Sequence, residues 1–425
     1  MKPTVIVIGG GFCGLSAAYE LGQRGVRAVV LEADDAVGGL AGSFEVGGEP
    51  LEKFYHHWFT SDEHVTRLAH ELGTADRILL RPTRTGMYYA QKTLKLSTPM
   101  DVLRFSPLKP LDRLRLGLLA LRARGVRDWR SLEDRTAADW LRELGGEEVY
   151  RVVWQPLLRG KFGDLAEEIS AVWFWNKLKL RGGSRGKGGE EQLAYYRGGF
   201  AALADRLAQA VGEQGGTVRT GAAATGLQAR EGRITGVHTA AGTLPCDAVL
   251  LTVPLPAAAD LLAPHVSAAE QQRLRRIRYL ANVCTVLELD RSLSSTYWLN
   301  VNDPGFPFVG VIEHTNFEPA SSYAGRHIVY LSKYLPEDDL LYRMDDAAVA
   351  TYTVDHLRRM FPDLQPASVL RAHVWRARHS QPVVERHYSR LIPPTRTGAR
   401  GAWLATMAQI YPEDRGTNYA IRQGR

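Results

Sequence analysis

Thr4-Val5-Ile6-Val7-Ile8-Gly9-Gly10-Gly11-Phe12-Cys13-Gly14 opens the chain, and Val29-Val30-Leu31-Glu32 comes after it as a second apolar run ending in an acid. The β-branched run predicts a buried strand, and the residues from Leu15 to about Arg24 read as a helix. Strand, Gly-x-Gly-x-x-Gly turn, helix, strand and terminal acid together form the β-α-β dinucleotide-binding fingerprint. Gly9 permits a tight turn, Gly11 lets backbone approach a pyrophosphate, and Gly14 lets the helix pack close to the strand. The amides at the helix start, including those of Phe12 and Cys13, face the phosphates with the positive end of the helix dipole. Glu32 stands where an acid accepts hydrogen bonds from an adenosine ribose.

The chain has 425 residues, 45% of them hydrophobic and 23% charged. This is the composition of a globular protein of two or three domains with a sizeable core. No run reaches the roughly 20 apolar residues of a membrane-spanning helix. The first strand starts almost at residue 1, so no secretory leader is expected and a cytoplasmic location is. Three scattered cysteines, Cys13, Cys246 and Cys284, form neither a disulfide framework nor a zinc pattern, and no metal is expected. The formal charge of +7 is spread as arginine over the chain and suggests a solvated basic surface, with no nucleic acid partner.

A second glycine pair, Gly38-Gly39, stands a few residues beyond Glu32-Ala33. Two residues without β-carbons let the chain pass against a bulky ligand. With this pair the sequence resembles the FAD-dependent amine oxidase superfamily, which includes protoporphyrinogen oxidases, phytoene desaturases and, more distantly, UDP-galactopyranose mutases. The resemblance implies non-covalent FAD, with the acid on the adenosine ribose and the glycine pair near the pyrophosphate and ribityl chain. Many members carry Arg after the pair, where this chain has Leu40.

The stretch Leu51-Glu52-Lys53-Phe54-Tyr55-His56-His57-Trp58-Phe59 is similar to an apolar-acid-x-Gly-x-His pattern that the family places near the flavin ring, with Phe54 in the Gly position. His56 and His57 are the candidate catalytic residues, because imidazole changes charge most readily near neutral pH; a packed aromatic segment with surface histidines is the alternative. Residues 101–130 hold eight Arg or Lys against three Asp, with leucines between them. This basic, mostly helical stretch reads either as a solvated helix or as peripheral contact with an anionic membrane. Arg159 and Lys161 could neutralise a substrate anion or form structural ion pairs. Residues 181–189 form a glycine-rich basic loop without the ending of a P-loop.

Gly198-Gly199-Phe200 to Pro254 resembles the family's second FAD segment, which implies a backbone contact from Ala224 to the adenine edge and places Thr252 at the end of a buried strand. Glu313, His314 and Lys333 lie on strands that the family builds over the flavin. Gly416-Thr417-Asn418 is similar to the third FAD segment, a helix start at the pyrophosphate and flavin edge. Thr406-Met407 replaces the usual Gly-acid pair there, which leaves Glu413 or Asp414 for the ribityl contact. The closing helix is short, and truncation at the C-terminus is expected.

The expected fold is α/β: a Rossmann-like FAD/NAD(P)-binding domain (1–60, 190–260 and 385–425) with a discontinuous α+β substrate domain (61–189 and 261–384). The resemblance implies hydride transfer from a C–H or C–N bond of a small hydrophobic or amine substrate to flavin N5. Non-redox chemistry of the mutase kind, and flavin binding without turnover at a membrane, are the alternatives.

Overall fold

The computed structural model describes residues 2–95, 98–184 and 191–425. Residues 185–190 of the glycine-rich loop lie outside the described residues. Five strands, β1 (Thr4–Ile8), β2 (Arg27–Leu31), β3 (Thr217–Arg219), β4 (Ala248–Leu251) and β5 (Ala402–Leu404), form a parallel sheet in the order β3-β2-β1-β4-β5. Six helices cover this sheet or line the two cavities beside it: α1 (Phe12–Gln23), α2 (Pro110–Arg124), α3 (Gln155–Phe162), α4 (Ala171–Gly183), α5 (Gly199–Glu213) and α6 (Thr417–Gly424).

β1 is central and covered on both faces, which is why it reads as an uninterrupted apolar run. Successive side chains point to opposite sides. Val7 and Val30 pack with Phe12, Leu15, Phe200 and Ile421 from α1, α5 and α6. Ile6, Ile8, Val29 and Leu31 pack on the other side with Leu227, Ile234 and Val237. Those last residues belong to an antiparallel sheet of Ala224–Arg230, Arg233–Thr239 and Gly242–Pro245.

The second large sheet has seven strands in the order Val369–Pro382, Tyr279–Leu289, His327–Leu335, Gly310–Glu313, Trp298–Val301, Thr85–Tyr89 and Lys92–Lys95. All neighbours pair antiparallel except Trp298–Val301 with Thr85–Tyr89. The basic stretch divides into helices Pro99–Leu103 and α2, each starting on a proline. Proline fits there because the first helical N–H has no intrahelical partner.

Candidate active site

The two glycine turns are tied to each other through backbone. Gly38 N–H donates to Gly10 O at 2.9 Å, and Gly11 and Gly38 form a β-bridge. A Cβ on Gly14 would stand 1.9 Å from Gly9 O, so α1 can lie this close to β1 only with glycine at that position. Gly11 has no neighbour nearer to such a Cβ than Gly39 Cα at 3.8 Å, which leaves backbone bare on that side. The Glu32 carboxylate accepts from Gly10 N–H at 2.6 Å and from Asp34 N–H at 2.9 Å. Ala222 N–H donates to Glu32 O at 2.7 Å, which brings the strand start at Ala224 toward the end of β2. Thr252 Oγ1 donates to Ile8 O and Gly9 O at the end of β1.

The side chains of Phe12 and Cys13 turn inward. Phe12 packs edge-on to Phe200, and Cys13 Sγ donates to Ala405 O at 3.2 Å. Burial pushes the Cys13 thiol up to about 12. At the other end of the chain, Asn418 Oδ1 accepts from His64 and Val65 N–H at 2.8 and 3.1 Å, which fixes the start of α6 against helix Glu63–Glu71.

A cavity of about 350 Å³ lies where these pieces meet the seven-stranded sheet. Leu40, Gly416, Thr417 and Asn418 share its wall with His56, His57, Trp298 and Tyr334. Lys161 of α3, Lys177 and Arg181 of α4, and Arg415 complete it. Asp414, buried, is ion-paired to Lys177 at 2.5 Å and accepts from Gln381 Nε2 at 3.1 Å. Glu413 is ion-paired to Arg422 at 2.8 Å and does not line the cavity. Neither Glu313, His314 nor Lys333 lines it, whereas Ser332 and Tyr334, the residues on either side of Lys333, do. Glu313 instead accepts Leu293 and Ser294 N–H, and His314 pairs with Tyr323 OH at 2.8 Å.

His56 and His57 are brought together on the cavity wall, but burial pushes their imidazoles down to about 4 and about 3. Desolvation disfavours the cation in both. Both are therefore neutral at neutral pH, contrary to the charge change expected from their ordinary range. His56 Nδ1 lies 2.6 Å from Phe54 O. A carbonyl oxygen can only accept, so Nδ1 carries the proton and Nε2 is left as an acceptor. His57 Nδ1 meets Tyr297 OH at 2.9 Å.

Residues 12–424 match the model of the flavin containing amine oxidoreductase family. The chain belongs to this family. Phytoene dehydrogenase of Streptomyces griseus is 25% identical over 308 residues, which are 61% of this chain and 56% of that protein. Coproporphyrinogen III oxidase of Mycobacterium tuberculosis is 26% identical over 297 residues, 63% of each chain. The matched region thus spans less than two thirds of these curated relatives. The fold is similar to that of a protein assigned as a protoporphyrinogen oxidase from Exiguobacterium sp. 255-15, with a TM-score of 0.79 at 17% identity over 100% of this chain and 97% of that one. Reduced UDP-galactopyranose mutase gives a TM-score of 0.75 at 15% identity over 100% and 92%.

The cofactor of this amine oxidoreductase family member is FAD. Its residues fit that group: two glycine turns joined through backbone and left bare at Gly11, an acid at the end of β2, and the N-terminus of α6 on the wall of the cavity. Lys177, Arg181, Arg415 and Tyr334 of the cavity were not singled out from sequence. Lys177 and Arg181, four apart beside the aromatic run Trp173-Phe174-Trp175, were the available signal: cations one turn apart share a helix face.

Proposed function

We propose that this flavoprotein oxidises a small, largely apolar substrate at a C–H or C–N bond inside the cavity. One observation carries the reading: the cavity joins Leu40, beside the second glycine pair, and Gly416 to Asn418 of the third FAD segment to the His56-His57 pair and an aromatic wall. Bound FAD would supply two-electron redox chemistry, hydride acceptance at its ring with return of the electrons to an acceptor. The protein supplies position, dryness and proton management.

Gly9, Gly11 and Gly14, with the amides of Phe12 and Cys13, would hold the pyrophosphate. Glu32 and Ala33 would hold the ribose, Ala224 the adenine edge, and Gly38, Gly39, Leu40, Thr252 and residues 416–418 the remainder. A ribityl contact from Glu413 would compete with its Arg422 pair. None of the three cysteines lines the cavity, which supports a non-covalent cofactor. His56, with Nε2 free to accept, is the group to take a substrate proton, and His57 is oriented by Tyr297.

Peripheral contact of a cytoplasmic enzyme with an anionic bilayer belongs to the same reading. α2 has two apolar faces. Leu116, Leu119 and Ala123 are packed, while Leu111, Leu114, Leu118 and Leu121 on the opposite side are 40 to 61% exposed. At 100° per residue the arginines at 113, 115, 122 and 124 fall on both flanks of the bare face. A smaller cavity of about 240 Å³ beneath α2 shares Trp154, Leu157, Leu178, Arg181 and Asn300 with the large one.

Purified protein should be yellow and retain FAD through gel filtration. A colourless protein that takes up no FAD would sink the proposal. Anaerobic bleaching by a hydrophobic polyene or a porphyrinogen would support it. Turnover of a UDP-sugar that begins only after dithionite reduction would replace it with mutase chemistry.

A further inference from the structure

Lys161, Lys177, Arg181 and Arg415 converge on the cavity from α3, α4 and the approach to α6. The wall carries two carboxylates in return, Asp62 and Asp414. Asp414 is ion-paired to Lys177 and accepts from Gln381, and its single charge also acts on Lys161 and Arg415, so three cations share it. Asp62 accepts from Phe59 N–H at 2.9 Å, and burial pushes its carboxyl up to about 6. Lys161 Nζ sits 4.7 to 5.6 Å from the ring centres of Tyr334, Trp173 and Phe162. Among the described residues no carboxylate lies within salt-bridge distance of it. Arg415 donates from Nη2 to Tyr334 OH at 2.7 Å, while its buried Nε has no hydrogen-bond partner.

Cations set in a mostly apolar cavity, with too few anions around them, are costly unless a ligand completes the set. An amine substrate would add another positive charge to this wall. An acidic substrate would supply the missing negative one, and guanidinium and ammonium groups are the usual donors to carboxylate and phosphate.

We propose that the substrate is held by a carboxylate or phosphate group placed among Lys161, Lys177, Arg181 and Arg415, with its apolar body against Trp173, Trp298 and Tyr334, and that amines are rejected. The inference rests on the proposed function only in taking this cavity as the substrate site.

The test uses three probes with the same aryl body: benzoate, phenyl phosphate and benzylamine, titrated into FAD-loaded protein. The readouts are quenching of the emission of Trp154, Trp173 and Trp298, which line the cavity, and displacement of the flavin absorption bands. Benzoate or phenyl phosphate should bind at least ten-fold more tightly than benzylamine. The stronger of the two acids identifies the group. Lys161→Met and, separately, Lys177→Met should weaken acid binding ten-fold or more, while Lys161→Arg retains it. Circular dichroism and FAD retention establish that each variant is folded. Benzylamine binding as tightly as the acids would overturn the proposal, as would acid affinity unchanged in both Met variants. Acid binding that is present in flavin-free protein and lost when FAD is loaded would also overturn it, because the cations would then serve the cofactor. Protein that takes up no FAD fails the oxidoreductase reading, and the tryptophan titration still decides the anion site.

Discussion

Replacing Glu52 by Gln tests how the segment carrying His56 and His57 is held. Glu52 is 1% exposed. Its Oε1 accepts from Phe200 N–H at 2.7 Å in the first turn of α5, and Oε2 accepts from Tyr195 OH at 2.8 Å. Gly199 is required beside it, since a Cβ there would stand 2.7 Å from Oε1. Phe200 in turn packs on Phe12, His56 and Trp58. Burial is the largest influence on the Glu52 carboxyl and raises it from 4.5 to about 7, against the two hydrogen bonds that favour the charged form. That displacement corresponds to about 3 kcal/mol. The sign comes from proton counts. Between the two values the native state keeps a proton that the unfolded chain has released, so stability falls as pH rises. About 2.5 kcal/mol of the effect lies between pH 5 and pH 8. Gln mimics the neutral acid and does not titrate. It costs about 1–3 kcal/mol for an acceptor turned into a donor. Urea denaturation of both proteins at pH 5 and pH 8 gives the answer, because comparison at equal pH cancels every other titrating group. Glu52→Gln should be less stable than the parent at pH 5 and match or exceed it at pH 8. A difference that stays the same within about 0.5 kcal/mol at both pH values would refute the reasoning.

Gly14→Ala should abolish FAD retention, measured by flavin absorbance after gel filtration, because the new Cβ meets backbone at 1.9 Å, whereas Gly117→Ala in α2, with nothing within 4 Å, should leave it intact. Burial holds the Lys161 ammonium well below its ordinary range, and a carboxylate beside it would oppose that shift, so benzoate affinity should fall as pH rises toward the ordinary lysine range; an affinity that calorimetric titrations find independent of pH would contradict the pairing. Burial pushes His314 down to about 3 from 6.5, so the native state stays neutral while the unfolded chain protonates; stability falls on acidification, and His314→Gln should lessen the loss between pH 7 and pH 5 by about 2 kcal/mol in urea titrations. Wild-type protein should float with vesicles containing phosphatidylglycerol and lose that binding in the Leu114→Glu/Leu118→Glu variant, whereas flotation unchanged by the double substitution would remove α2 from the contact.

The parts of the fold that were legible depend on local backbone demands. Gly9, Gly14 and Gly38 declare themselves because a turn or a close approach admits no side chain, and the apolar run of β1 reflects a strand covered on both faces. The cavity was legible only in part. Tyr297, the partner of His57, lies 240 residues away, and Arg415 reaches the site from the far end of the chain. Such pairings are made by tertiary packing and leave no spacing to read. The histidines show the same limit: residue type suggested titration near neutrality, and burial removed it. Glu313 and His314, expected on strands over the flavin, are each spent on local hydrogen bonds.

The place of β1 in its sheet has a consequence for synthesis. Its neighbour β2 emerges almost at once, whereas β4, which closes the other edge, starts at residue 248. At elongation speeds of roughly 5–20 residues per second, Val5-Ile6-Val7-Ile8 is an open apolar edge for on the order of ten to fifty seconds. Chaperone occupancy of the nascent chain should be concentrated in that interval and end as β4 clears the ribosome. The last piece of this domain to seat is α6, which packs on α1 with Gly424 against Cys13 O.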